Sequence, residues 1–259
     1  MASPVLVTGG TGRLGKLVVA RLQDSGCAVR VLARHDRPIP RGVAFFTADL
    51  RAGRGIEPAV TAATAIIHCA TSTRGDAEAT GNLVAAASRA GSAHLVYVSI
   101  VGIDHLASWG YPKTKLRAEQ IVANSGLPWT ILRVTQFYDY CLANARRLSR
   151  FPVAPVPAAF TVQPVDPSDV AGRLVELALG EPAGRAPDMA GPQVSSWADL
   201  LRGYLKASHR HRWVLPVQVP GTRAVRNGAL LPPPGHTIGC RTWDQFLTAH
   251  LRQQATATA

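Results

Sequence analysis

Three glycines near the start of the chain have the spacing of a phosphate-binding turn. Gly9, Gly12 and Gly15 lie between a short apolar run and an amphipathic segment. In such a turn the first glycine allows a tight bend, the second lets a pyrophosphate approach the backbone, and the third lets the helix pack closely on the strand. The N–H groups at the start of the helix then face the phosphates. The pattern predicts a dinucleotide site, whereas the alternative is a turn that only connects two elements. The other candidate residues of this turn are Thr11, Arg13 and Leu14.

The second apolar run ends at an arginine. In many dinucleotide-binding folds an acidic residue at this position binds the ribose 2′-hydroxyl of NAD. Here Arg34 stands at the end of the run, and Arg13 lies in the glycine turn. Both guanidinium groups suit bidentate contact with a 2′-phosphate. The sequence therefore favours NADP(H) over NAD(H), and the alternative is a solvated Arg34 with Asp36 on the ribose.

Two residues after the third apolar run are candidates for contact with the adenine ring. The Asp49 carboxylate can accept a hydrogen bond from the adenine amino group, and Leu50 can pack against the ring. The alternative for Asp49 is a role as a helix N-cap.

Strand-length apolar runs alternate with helix-period segments through the first half of the chain. We predict strands at residues 5–8, 28–33, 43–47, 64–69, 94–99 and 129–133, and helices at 13–25, 76–90 and 111–125. Short apolar strands separated by helices are typical of a parallel sheet covered on both faces. The predicted class is α/β, a Rossmann-type doubly wound parallel sheet.

The alternation of apolar runs and helical segments ends after Phe137. Prolines interrupt residues 152–167 and again 216–234, and helices are predicted at 167–179, 196–207 and 242–252. We therefore expect a nucleotide-binding core at 1–137 and a small, mainly helical substrate lobe at 138–252 that contributes in part to the sheet. The tail 253–259 is expected to be disordered.

Composition excludes several classes of protein. The 259 residues are 47% hydrophobic and 17% charged. No apolar stretch has the length of about 18 residues that a membrane-spanning helix needs. The four cysteines form no CxxC pair, so neither a metal site nor a disulfide scaffold is expected. The N-terminus has no signal-peptide pattern, which favours a cytoplasmic protein with no membrane partner.

The net charge of +12 favours anionic partners in general. Its most concentrated part is the run of His and Arg at residues 209–212, followed by Trp213. This run matches no helix-turn-helix or zinc-finger pattern, so we interpret it as a solvated basic loop and expect no nucleic-acid partner.

Several motifs together resemble a known superfamily. They are TGGTGRLG at residues 8–15, TADL at 47–50, YVSIVG at 97–102, YPKTKLRAE at 111–119 and LPWTILRVTQFYD at 127–139. The set resembles the short-chain dehydrogenase/reductase superfamily, and the residues of these motifs are similar to those of its atypical, NmrA-like NAD(P)-binding branch. The resemblance covers the first 140 residues closely and the remainder more loosely.

The resemblance implies a catalytic Tyr-x-x-x-Lys pair, here Tyr111 and Lys115, and a hydroxyl residue after the fifth strand, here Ser99. Residues four apart share one helix face, and a nearby ammonium lowers the pKa of a tyrosine. Tyr111 is expected to protonate a carbonyl oxygen, and Lys115 also to hold the nicotinamide ribose. Further cofactor contacts implied by the resemblance are Ala70, Thr71, Thr135 and Phe137.

The expected activity is therefore NADPH-dependent reduction of a carbonyl, enone or quinone group of a small molecule by a monomer or homodimer. Two alternatives stay open, because a fold does not fix a reaction. One is a non-catalytic NADP(H)-binding redox sensor, and the other is an isomerase or cyclase that retains its cofactor.

Overall fold

The computed structural model describes residues 4–35, 37–72, 75–91, 93–106 and 110–258. They form two compact units, Met1–Arg133 with Val170–Pro187, and Val134–Asp169 with Asp188–Ala259. The sequence placed one boundary after residue 137. Residues 170–187 group with the first unit, and the short strand at residues 184–185 pairs with the strand that contains Thr130 and Ile131.

The elements follow the alternation predicted from the sequence. The strands are β1 (Val5–Thr8), β2 (Val29–Ala33), β3 (Val43–Thr47), β4 (Ala65–His68), β5 (His94–Ile100), β6 (Trp129–Val134), β7 (Val153–Pro157), β8 (Thr161–Val162), β9 (Gly184–Arg185), β10 (Met189–Ala190), β11 (Ser195–Ser196), β12 (Trp213–Val217) and β13 (Thr237–Ile238). The helices are α1 (Arg13–Asp24), α2 (Glu57–Val60), α3 (Asp76–Arg89), α4 (Gly110–Ala123), α5 (Tyr138–Leu148), α6 (Pro167–Leu179), α7 (Trp197–Ala207), α8 (Arg223–Arg226) and α9 (Trp243–Thr258). A 3-10 turn covers Ile103–His105.

The first unit contains a parallel sheet in the order β3-β2-β1-β4-β5-β6, with β9 beside β6. The chain runs outward from β1 to β3 and then returns to β4, so the winding direction reverses between β1 and β4. The carboxyl ends of strands at such a reversal form the ligand-binding crevice of doubly wound folds. The predicted fold class is confirmed.

Burial explains why the strands have continuous apolar sequences. In β1 and β4 every residue is buried, because helices cover both faces of the sheet. Among the described residues, no helix has the length and hydropathy needed to cross a membrane.

The second unit packs α5, α7 and α9 around an aromatic core. The rings of Tyr138, Trp243 and Phe246 lie with centroids 5.3–5.6 Å apart. Two short strand pairs, β7 with β12 and β8 with β11, lie in the same unit. The prolines of β7 are compatible with a strand, because each strand of a two-stranded sheet has one unpaired edge where no backbone N–H has to donate a hydrogen bond. The last helix, α9, ends at Thr258 and so includes most of the tail that was expected to be disordered. The Gln and Ala residues of this tail are good helix formers.

Candidate active site

The glycine turn connects β1 to α1 at the reversal point of the sheet. Gly9 has a φ of +68° and its N–H donates to the Leu32 carbonyl. A Cβ on Gly9 would lie 2.8 Å from the Ala70 backbone, and a Cβ on Gly15 would lie 2.2 Å from the Gly9 oxygen. Larger residues at these two positions would force strand, turn and helix apart.

The start of α1 is open toward a phosphate. Gly12 is the N-cap, and no side chain there accepts the first N–H groups of the helix. Arg13 begins the helix and is exposed. Uncapped N–H groups at a helix start bind anions. Thr11 and Leu14 are partly exposed in the same turn.

The predicted adenine-binding residues are arranged differently from the sequence interpretation. Asp49 Oδ1 accepts the backbone N–H groups of Arg51 and Ala52, so this oxygen caps a turn rather than a helix. These hydrogen bonds, together with nearby Arg54 and Arg34, hold the pKa of Asp49 below its usual value. Leu50 is buried in the core rather than presented to a ring. Arg34 is exposed, and Asp36 lies outside the described residues.

Four side chains form a connected cluster at the carboxyl end of β4. The Tyr111 hydroxyl lies 3.1 Å from Thr71 Oγ1, which in turn donates to Asp76 Oδ2 at 3.1 Å. The same Oδ2 lies 3.5 Å from Lys115 Nζ. The structure therefore joins the tyrosine and the lysine through a threonine and a carboxylate on neighbouring elements.

Lys115 is almost completely buried and well satisfied. Its ammonium donates to the Val98 carbonyl at 2.8 Å and lies 4.2 Å from the centre of the Tyr97 ring. Burial lowers the pKa of Lys115, while the Asp76 and Glu119 carboxylates oppose that shift. An ammonium has three donors, so one remains for a ribose hydroxyl.

Tyr111 keeps its proton more firmly than a free tyrosine. Burial is the main cause that raises its pKa, the Asp76 charge adds to it, and the hydrogen bond with Thr71 opposes it. The sequence led us to expect that the Lys115 ammonium lowers the pKa of Tyr111, whereas burial raises it. Tyr111 is therefore held as a phenol, the form that donates a proton.

A buried hydrogen-bond chain supports this edge of the sheet. The Thr80 hydroxyl donates to the Asp76 carbonyl, so His68 Nε2 donates to Thr80 and His68 Nδ1 accepts from Thr8. Thr8 Oγ1 also accepts the Ala70 N–H. Burial lowers the pKa of His68 to about 3, which keeps the ring neutral.

Ser99, the third predicted catalytic residue, is 1% exposed, and its hydroxyl has no hydrogen-bond partner within the part of the chain that the structure describes. It is inside the sheet and not at an accessible surface. Thr135 and Phe137 belong to the second unit, where the Thr135 hydroxyl donates to the Gln163 carbonyl and Phe137 precedes α5.

Comparison with protein families agrees with this geometry. The sequence model of a family described as NAD(P)H-binding matches residues 9–178, which include the glycine turn, Tyr111 and Lys115. The chain belongs to the NAD(P)H-binding family. The predicted resemblance is confirmed at the level of this family. Solved structures that share the fold include reductases and nucleotide-sugar epimerases.

Two curated relatives illustrate the range of the family. The chain is 33% identical over 198 residues to a (4-alkanoyl-5-oxo-2,5-dihydrofuran-3-yl)methyl phosphate reductase of Streptomyces griseus, covering 73% of this chain and 68% of that protein. It is 34% identical over 183 residues to an uncharacterised protein of Mycobacterium tuberculosis, covering 68% of this chain. The match spans only 20% of the mycobacterial protein's length.

Two solved structures share the fold. The NADPH complex of a quinone oxidoreductase from Escherichia coli has a TM-score of 0.79 at 19% identity, covering 95% of this chain and 99% of that one. The NADP(H) complex of a Citrobacter triphenylmethane reductase has a TM-score of 0.77 at 17% identity, again covering 95% and 99%.

The residues of the first unit fit a bound NAD(P)H. The uncapped start of α1 suits the pyrophosphate, and Lys115 has a donor left for the ribose.

Sequence reasoning missed Asp76 and Arg133. Asp76 opens α3, where an acidic residue is ordinary. Arg133 ends an apolar strand, yet it is buried and donates to Glu119 on α4 and Asp104 in the 3-10 turn. An arginine that ends an apolar run is the signal that could have revealed this cluster.

Asp76→Asn tests the buried ion pair. We expect the free energy of unfolding at pH 7 to fall by about 2 kcal/mol, the usual contribution of a hydrogen bond to a charged group. The loss is no larger because Lys115 still donates to the Val98 carbonyl. Loss of the carboxylate lowers the folded-state pKa of Lys115 further. Between that lowered pKa and the unfolded-state value of about 10.4 the unfolded chain binds the extra proton, so the deficit shrinks as pH rises through this range.

Urea unfolding at neutral and alkaline pH measures this effect. Glu78→Gln is the matched control, because Glu78 lies on the same helix but is 66% exposed in its pair with Arg51. The control should change stability by less than about 0.5 kcal/mol. A deficit that stays constant with pH would contradict the assignment.

Proposed function

We propose that the protein is an NADPH-dependent reductase that acts on a carbonyl, enone or quinone group of a small organic molecule. The observation that carries this proposal is the partly exposed Tyr111 hydroxyl, held by Thr71 beside the buried Lys115–Asp76 pair. A proton donor at the carboxyl end of β4 lies at the reversal point of the sheet, where doubly wound folds bind nucleotides.

When bound, NADPH supplies a hydride. Tyr111 donates its proton to the oxygen on which negative charge develops, and its raised pKa keeps that proton in place at neutral pH. Lys115 holds a buried positive charge close by, which stabilises the phenolate that remains. The Asp76 carboxylate fixes the ammonium and, through Thr71, the direction of the phenol.

Thr71, and not Ser99, is the hydroxyl residue that contacts Tyr111, since Thr71 is exposed and Ser99 is buried. Because Thr71 donates its own proton to Asp76, its oxygen accepts from Tyr111 and sets the direction of the phenol. The Ser99 hydroxyl, inside the sheet, has a supporting position.

The relative from Streptomyces, a reductase at 33% identity, supports this proposal. The solved structures that share the fold include reductases of quinones and triphenylmethane dyes, and also nucleotide-sugar epimerases, so the fold does not choose between reduction and the isomerase alternative. The diversity of these reductases favours a reducible, conjugated or carbonyl-containing acceptor without selecting one. We further propose a cytoplasmic protein that acts as a monomer or homodimer.

The test is the loss of NADPH absorbance in the presence of a panel of quinones, enones, azo dyes and carbonyl compounds. Turnover of at least one acceptor class is expected, and NADPH should bind in its absence. NADPH binding without turnover of any acceptor would favour the redox sensor, for which the buried Ser99 is the supporting observation. A sensor must distinguish NADPH from NADP⁺ in affinity or partner.

NADPH preference is tested with Arg34→Ala. Arg34 is exposed at the end of β2 and its charge reaches Asp49, so we propose that it binds the 2′-phosphate. Loss of one charge-assisted contact should weaken NADPH binding about 10- to 100-fold and NADH binding less than about twofold. Calorimetry with both cofactors measures this, and Arg41→Ala, also exposed, is the control. Equal weakening of both cofactors would mean that another group binds the phosphate.

A further inference from the structure

The two-stranded sheet of the second unit has an apolar face open to solvent. β7 and β12 are parallel, with Trp213 opposite Val153 and Leu215 opposite Pro155. These four side chains are exposed, and Trp213 is 80%, Leu215 51% and Val153 46% accessible. Parallel sheets are normally covered on both faces, so this face is unusual for its class.

The opposite face of β7 is well packed, so the solvent exposure is confined to one face of the strand. Ala154 and Val156, which alternate with the exposed positions, are completely buried in the core of the unit. Side chains along a strand alternate between faces. One face of β7 is therefore buried and the other is exposed, yet the side chains on both faces are apolar.

A cationic groove begins where the apolar face ends. A cavity of about 800 Å³ is lined by Arg202, Leu205, Lys206 and residues 209–214, which include Trp213. None of these nine described residues is acidic. Arg202 makes an exposed ion pair with Asp199. Lys206, Arg210 and Arg212 are also exposed and add fixed positive charges to the same groove.

We propose that this combined surface, the outward face of β7–β12 with the groove beside it, docks onto a bilayer that carries anionic phospholipids. Trp213 belongs to both parts, so apolar insertion and charge attraction act at the same place. Tryptophan prefers the headgroup level of a membrane, and a cationic surface is attracted to anionic headgroups. Docking of this kind needs no membrane-spanning segment. It departs from the expectation of no membrane partner, which rested on the lack of a long apolar stretch and of a signal-peptide pattern.

Other occupants fit the surface less well. A symmetric second copy would place the cations of one groove close to those of the other, which is repulsive. A nucleic acid would use the cations and stack on Trp213, but Val153, Pro155 and Leu215 offer it neither hydrogen bonds nor a flat ring. The apolar strand face and the cations are both used only at an anionic membrane surface.

The experiment is co-sedimentation of the full chain with vesicles of phosphatidylcholine alone and with vesicles in which about a third of the lipid is phosphatidylglycerol. Binding is expected only to the anionic vesicles, and about 0.5 M salt should release most of the protein. Arg210→Gln/Arg212→Gln should lower the partition coefficient about tenfold or more. The control is Arg21→Gln/Arg41→Gln, which removes the same charge from exposed positions of the first unit.

A second variant guards against loss of folding, because Arg210 and Arg212 also donate to Ser149. Leu215→Ser leaves every charge in place and should lower binding to anionic vesicles at least about threefold. Thermal melting confirms that each variant is folded.

Three results would overturn the proposal. They are absence of binding to anionic vesicles at low salt, equal loss for the Arg21/Arg41 control, and unchanged binding by Leu215→Ser. A dimer in sedimentation velocity that Leu215→Ser dissociates would instead assign the face to a second copy of the chain.

Discussion

Replacing Tyr111 with phenylalanine is expected to lower kcat by a factor of about 10² to 10⁴, the usual contribution of a general acid. The ring and its packing remain, and only the hydroxyl that contacts Thr71 is lost. NADPH affinity should change less than about threefold, because the substitution removes an interaction made with the developing oxyanion. Steady-state kinetics with the best acceptor of the panel, together with calorimetry of NADPH binding, measures both quantities.

The pH profile provides a second readout of Tyr111. Since the pKa of Tyr111 is raised above 10, the acid form persists and the wild-type rate should not decline through mildly alkaline pH because of this group. Tyr140→Phe is the matched control, because Tyr140 is 56% exposed in the second unit. A Tyr111→Phe enzyme with wild-type turnover would remove Tyr111 from the mechanism.

Replacing Arg133 with methionine is expected to lower the free energy of unfolding by about 3–5 kcal/mol. Arg133 is 3% exposed and donates twice to Glu119, at 2.7 and 2.8 Å, so the variant leaves a buried carboxylate without a counterion. The cost therefore combines the lost hydrogen bonds with the burial of a charge whose hydrogen-bonded partner is gone.

Two further variants separate the charge effect from packing. Arg133→Met/Glu119→Leu removes both charges and should recover most of the lost stability, because apolar replacement of a buried pair is often neutral. Arg89→Met breaks an exposed ion pair with Glu57 and should cost less than about 1 kcal/mol. Urea unfolding of all three measures the differences. A double variant as unstable as Arg133→Met would show that the shape of the arginine matters more than its charge.

The Arg133 cluster also concerns activity. Glu119 lies on α4 with Lys115, and Asp104 lies in the 3-10 turn that follows β5. Arg133 therefore ties strand, turn and helix together on the side of the sheet that carries Tyr111. This role depends on residues far apart in the chain, which is why the arginine at the end of an apolar run could mark the position but not name its partners.

Local patterns determined the first half of the fold. Continuous apolar runs predicted β1 to β6 within one or two residues, because strands covered on both faces need apolar side chains at every position. The glycine turn was equally readable, since the positive φ of Gly9 and the contact of Gly15 with the Gly9 oxygen exclude larger residues. Tyr111 and Lys115 were recognised because they lie on one helix and so have a fixed spacing.

Tertiary structure alone decided what surrounds these residues. Asp76 reaches Lys115 from a different helix, Leu50 turns into the core, and Ser99 is enclosed within the sheet. Trp213 and Val153, sixty residues apart, become neighbours on one exposed face. Sequence periodicity reports which side of one element is apolar, but it does not report which element packs there. Burial, ion pairing and pKa depend on that second element, so they follow from the folded chain.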